Sequence, residues 1–203
     1  MKELVLVGGG GHARACLDVI EATGLYLPVG VLDLPGKVDD GVLGVPVVGT
    51  DEEIPAWVAR GSSFLVSVGQ IKSPEARINL FQQLVELRAD LPAIFAPTAR
   101  ISPHTTIGRG TIVMHLALVG PATKVGENCI INSRALIEHD TLIGDHCHIS
   151  TGALVNGGCV VGEGSFIGSG AVLKQGARIG RRVVVGMGAV VRRNVADGEV
   201  VVL

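Results

Sequence analysis

Residues 137–150, IEHDTLIGDHCHIS, hold three of the chain's six histidines, His139, His146 and His148, among Glu138, Asp140 and Asp145. Side chains of these types can do one of three things together. They can bind a metal, since His-x-His along a strand can hold zinc with a further ligand. They can move protons, because a neutral imidazole accepts one near pH 7 and a neighbouring carboxylate steadies the resulting cation. Or they can be the solvated surface of a repetitive fold. The choice turns on where the backbone aims each side chain.

Composition narrows the setting. Seventeen basic against nineteen acidic residues leave a net charge of −2 in 203 residues, with no electrostatic footprint for nucleic acid or an anionic membrane. A small-molecule substrate is expected. Apolar residues reach 47% but aromatics only 3%, beside 29 glycines, a mixture that suits short strands and tight turns. The start, MKELVLVGGGGHA, has too short an apolar run for a secretory signal, and no segment approaches a membrane span, so a cytoplasmic location is expected. Four cysteines without CxxC spacing read as reduced thiols.

Residues 1–92 alternate apolar runs with helical stretches. The pattern predicts strands over 3–8, 28–33, 45–49 and 64–69, helices over 12–23, 52–59 and 74–88, a turn-rich loop after the second strand, and a short strand near 93–95. That is a small parallel, Rossmann-like sheet built from βαβ crossovers. Gly8, Gly9, Gly10 and Gly11 followed by His12 end the first strand and open the first helix, where free N–H groups suit phosphate. The run is not a full dinucleotide fingerprint, because the sixth position is Ala13. Asp33 ends the second strand, the place of an acid that bonds a ribose or a base.

Residues 93–203 follow another grammar. Written in sixes from Phe95, the first position is aliphatic or aromatic through seventeen consecutive hexads to Val191, and the fifth is small throughout. Period six with no helical period marks a parallel β-helix. Gly, Asn or Asp recur at the fourth position, as a turn at positive φ requires. Three hexads form a triangular coil, so residues eighteen apart stack at about 4.8 Å. In this register His146 and His104 fall on turns, while His139 and His115 fall at the outward third position. No third ligand is spaced to close a site with His146 and His148, and no metal is expected. Cys129 and Cys147 stack, but at the small inward position, where packing explains them.

Hexads such as VGENCI, IGDHCH, VGEGSF and IGSGAV resemble the hexapeptide-repeat acyltransferases, whose left-handed β-helices form trimers. With GGGGHA at the start and INSRALIEHD at 131–140, the chain resembles a narrower group, the bacterial sialic acid O-acetyltransferases and nucleotide-amino-sugar N-acetyltransferases. The resemblance implies left-handedness, a homotrimer and acetyl-CoA as donor. It implies His139 as general base, with Asp140 orienting it, although Asp140 also reads as an ordinary turn residue. Asn132 and Glu138 match positions lining the acceptor pocket, and His148 one that contacts acetyl-CoA. The pantetheine arm would run past Gly157 and the column of Thr151, Ser169 and Met187. Gly157 is equally an ordinary turn glycine. Gly11, His12, Asp33 and Gly69 would meet a nucleotide-linked sugar.

Three departures from that group stand out: LDLPG in place of a doubled acid after the second strand, VGQIK in place of an acid or amide pair, and VADGEVVVL without a GxPAK-like tail. With Ser133 and Ser150 in ordinary hexad slots and no positioned nucleophile, the expected reaction is direct attack of a sugar amine on the thioester. A sialic-acid-like hydroxyl is the alternative acceptor, and a non-catalytic trimeric nucleotide-sugar scaffold the alternative of another class.

Overall fold

The computed structural model describes residues 1–36, 41–71 and 73–202. Two units follow from the contacts: residues 1–69 with 75–97, and residues 70–74 with 98–203. The division thus falls after Pro97 rather than after residue 92, and the segment from Gln70 to Pro74 groups with the second unit.

The first unit is a parallel sheet of β1 (Lys2–Val7), β2 (Tyr26–Leu32), β3 (Val47–Gly49) and β4 (Ser63–Val66), in the order β3-β2-β1-β4. Leu4, Val5, Leu6 and Val7 on β1 are wholly buried, as a strand covered on both faces must be. Helix α1 (Gly11–Thr23) buries Ala13, Cys16, Leu17, Val19 and Ile20, and stops where Gly24 turns to φ 64°. Helices α2 (Ile54–Ala59) and α3 (Glu75–Glu86) complete the unit, with Ile54, Phe81 and Leu84 packed on Val5, Val7, Leu32, Phe64 and Val66. The strand predicted from residue 45 begins at Val47, because Val45 instead closes a tight turn with Val42. The loop predicted before it includes residues 37–40, which lie outside the described residues.

The second unit is a left-handed parallel β-helix. Each hexad supplies a two-residue strand, and strands eighteen residues apart pair in parallel: Ile131 with Ile149, Ile137 with Val155, Ile143 with Val161. First and fifth positions fill its core. Fourth positions are left-handed at every hexad from Gly110 to Gly188, including Leu116 at φ 60° and Arg134 at φ 59°. The fifth position does more than fit a corner. Thr111, Cys129, Cys147 and Ser165 stack, and each donates to a carbonyl fifteen residues on, at 2.8, 3.2, 3.1 and 2.8 Å. A buried hydroxyl or thiol thus satisfies backbone that the sheet ladder leaves unpaired. All four cysteines are buried free thiols; burial pushes Cys16 up to about 12 and Cys147 well above the usual thiol value. Among the described residues no helix is long and apolar enough to cross a membrane.

Candidate active site and acceptor cavity

His139 stands at the outward third position of its hexad, with its side chain about half exposed. Its Nδ1 lies 2.8 Å from Oδ2 of Asp140. A carboxylate only accepts, so Nδ1 carries the proton and donates, and the lone pair is left on Nε2. Among the described residues Nε2 has no hydrogen-bond partner within the chain. Asp140 is held for this by its backbone, which turns through φ 57° at the fourth position. The two readings of Asp140 are therefore one arrangement: the turn that tolerates aspartate also aims its carboxylate at the ring.

Gly157 lies one coil on from His139. A Cβ built there would sit 2.7 Å from both Cε1 and Nε2 of the imidazole and 3.2 Å from Cδ2. The ring fills the space that a side chain would need. The backbone holds it on both sides, since Gly158 N–H donates to the His139 carbonyl at 2.9 Å and Asp140 N–H to that of Pro121 at 3.1 Å. Gly157 is thus seated beneath the ring.

His148, expected to contact acetyl-CoA, is held within the β-helix by its own hydrogen bonds. It is only 6% exposed. Nδ1–H donates to the Gln70 carbonyl at 2.6 Å, and Nε2 accepts from the Asn132 amide at 3.1 Å. Phe166 packs edge-on at 5.1 Å between ring centroids. Both nitrogens are committed inside the chain, because His148 anchors the segment beginning at Gln70. Asn132 is committed with it, its Oδ1 accepting from Ser133 N–H at 2.8 Å. Glu138 is half-buried beside His139, and its carbonyl accepts from Thr123 at 3.0 Å. Thr151, Ser169 and Met187 are exposed, with Ser169 Oγ 2.9 Å from Ser150 Oγ.

The remaining histidines and thiols keep to the fold. His146 is 8% exposed at φ 57°, its Nδ1 3.0 Å from the Asn128 amide. His104 sits in a turn closed by Ser102, and His115 Nδ1 lies 2.7 Å from Thr98 Oγ1. Among the described residues no three His, Cys, Asp or Glu side chains are grouped to hold a metal ion.

The first unit carries a cavity of about 450 Å³ at the C-terminal ends of its strands. Gly8, Gly9, Gly10, Asp33 and Gly69 line it, with Leu32, Leu34, Asn79, Leu80 and Asp51. Gly8 turns at φ 107°, and a Cβ there would strike Val68; one at Gly9 would lie 2.6 Å from Oδ2 of Asp33. Asp33 is fixed by Leu34 N–H, 2.9 Å from Oδ1. Gly11 is exposed with open space before it, and His12 Cβ would lie 3.5 Å from a Cβ at Gly69. Asp51 was not expected. It opens the short 3₁₀ turn after β3, and burial, with the charge of Asp33, raises its carboxyl above the usual range. An acid directly after the apolar run VPVVGT was the available signal.

The profile of the PglD N-terminal domain matches residues 3–84, and that of the bacterial transferase hexapeptide matches 104–139, 122–157 and 158–193. The acetyltransferase domain of PglB from Neisseria gonorrhoeae is 30% identical over 98% of this chain and 96% of its own, with a TM-score of 0.92. The chain belongs to the hexapeptide-repeat sugar acetyltransferases with a PglD-type N-terminal domain. A histidine-to-asparagine variant of perosamine N-acetyltransferase from Caulobacter crescentus, in complex with CoA and GDP-perosamine, is 31% identical over 98% of this chain and 93% of its own, with a TM-score of 0.91. WeeI from Acinetobacter baumannii, at 21% identity and a TM-score of 0.86, shares the fold. No curated protein sequence matches the chain. Membership in this family accounts for an α/β unit and a β-helix in one chain.

Proposed function

We propose that this protein transfers acetyl from acetyl-CoA to the amine of a nucleotide-linked amino sugar, with His139 as general base. The observation that carries the reading is the geometry of that residue: Nδ1 tied to Asp140 at 2.8 Å, Nε2 free and the ring seated on Gly157. The neutral amine attacks the thioester carbonyl while Nε2 removes its proton, giving a tetrahedral oxyanion and an imidazolium steadied by Asp140. Collapse breaks the C–S bond, and the imidazolium returns the proton to the CoA thiolate. Amide and free thiol are the products.

The donor would lie along Thr151, Ser169 and Met187, and the acceptor nucleotide in the cavity of Gly8–Gly10 and Asp33. An apolar column on one face of the β-helix supports a homotrimer. Leu118, Leu136, Leu154, Val172 and Val190 stack in register, and Leu118, Leu154 and Val190 are 38%, 38% and 53% exposed. A second copy is the cover such a column calls for, and closed threefold symmetry repeats the contact three times. The relatives that bind CoA and a nucleotide amino sugar support the substrate pair.

Thiol release from acetyl-CoA against a panel of nucleotide amino sugars and sialic acids tests the reading. His139→Ala should lower kcat by about 10²- to 10⁴-fold, the usual worth of a general base, and leave acetyl-CoA binding intact. Full activity in the variant would remove the base. Failure of the wild type to bind CoA would favour the scaffold reading.

A further inference from the structure

On the reading that the α/β unit holds a nucleotide-linked sugar, the order of its strand ends bears on the nucleobase. β1 runs into Gly8–Gly10 and the start of α1; β2, its neighbour, ends at Asp33; β3, next outward, ends at Gly49 and turns into Asp51. The strands are parallel, so these three ends stand side by side, about 4.8 Å apart. Phosphate, ribose and base follow one another in a nucleotide in the same way. With phosphate on the N–H groups of the glycine turn and the ribose hydroxyls on Asp33, the base arrives at Asp51.

Asp51 is built for a contact that the chain itself does not make. Thr50 and Glu53 close the turn around it, with Thr50 N–H and Oγ1 at 2.5 and 3.1 Å from Glu53 Oε2 and Glu52 N–H at 3.4 Å from Thr50 Oγ1. Asp51 lines the cavity, and among the described residues its carboxylate has no hydrogen-bond partner. Its raised carboxyl, half-buried and facing the charge of Asp33, is consistent with a ligand that brings donors.

We propose that Asp51 is the specificity-determining residue for the base, and that the base is guanine. A carboxylate accepts on both oxygens and donates on neither. Guanine offers two adjacent donors on one edge, N1–H and the N2 amine, and so satisfies both oxygens. Uracil presents one N–H between two carbonyls, whose lone pairs would face the carboxylate. Cytosine and adenine each set one amine beside a nitrogen lone pair. Only guanine pairs two for two without repulsion. Leu32 and Leu34 give the ring faces apolar cover within the same cavity.

Binding isotherms of GDP, IDP and UDP to the full chain test this. GDP should bind most tightly, with IDP, which lacks the N2 amine, weaker by about tenfold or more, the worth of one charge-assisted hydrogen bond. UDP should be weaker still. In Asp51→Asn the amide would pair with O6 and N1–H, which GDP and IDP share, so the two should bind within about threefold of each other. UDP binding as tightly as GDP, or an unchanged GDP-to-IDP ratio in the variant, would overturn the guanine assignment and leave the acetyltransferase reading in place. Failure of all three nucleotides to bind would instead remove the acceptor cavity on which both rest.

Discussion

Gly157→Ala separates a glycine that seats the base from one that admits a cofactor. The substitution adds one methyl group, and the backbone at Gly157 is not in the left-handed region, so alanine is tolerated there. The new Cβ would lie 2.7 Å from Cε1 and Nε2 of His139, well inside a normal contact of about 3.5 Å. The ring must therefore swing by nearly 1 Å, taking Nε2 from the position the proposed proton transfer needs. A misplacement of about 1 Å can cost on the order of 10²-fold in rate, about 2.7 kcal/mol. In the thiol-release assay kcat should fall by about 10- to 100-fold, with KM for acetyl-CoA little changed and thermal stability equal or slightly higher. The decisive comparison is a double-mutant cycle. Once His139 is alanine there is no ring to displace, so adding Gly157→Ala should cost nothing further. An equal loss in both backgrounds, or a loss confined to KM for acetyl-CoA, would refute the steric argument.

Other consequences can be checked directly. Leu154→Asp puts a charge into the exposed apolar column without touching the core, and analytical ultracentrifugation should show trimers giving way to monomers. Burial raises Cys16 to about 12 and Cys147 well above the usual value, so the native protein should not react with a thiol reagent at pH 8, while the denatured chain should release all four cysteines. Burial acts to raise the carboxyl of Asp90, but the Ser63 hydroxyl at 2.6 Å and Lys2 at 3.0 Å outweigh it and hold the group below its ordinary value. Its contribution to stability is thus complete above the unfolded value of about 3.9 and lost as pH falls through the lower folded one. Asp90→Asn should flatten the loss of Tm between pH 5 and 2.

What the sequence disclosed depended on whether a role was local to the register. The period of six placed every coil strand, and it put His139 outward where no packing demand explains a histidine. It also put Asp140 at the turn, though only the structure shows that its carboxylate lies 2.8 Å from Nδ1 of His139. His148 was beyond such reasoning, because the Gln70 carbonyl that claims it is 78 residues away in the chain. Gly157 looked like any turn glycine until the imidazole occupied its missing side chain. Asp51 was hidden by topology: β3 lies beside β2, so an acid far from Asp33 in sequence shares its cavity. The polar fifth positions could have been read, since Thr, Cys and Ser recur where alanine alone would have filled the corner.

The left-handed corners are unevenly furnished. From Gly152 to Gly176 they are all glycine, which adopts that conformation freely, whereas from Leu116 to His146 every one carries a side chain. The coils around His139 therefore give up conformational ease that the later coils keep. Selection for stability alone would convert those corners to glycine and gain by it at Leu116, Ala122 and Arg134. At Asp140, where aspartate already tolerates the turn, the same change would gain less and would take the carboxylate away from His139 Nδ1, so the proposed base rests on a corner that stability alone gives little reason to change.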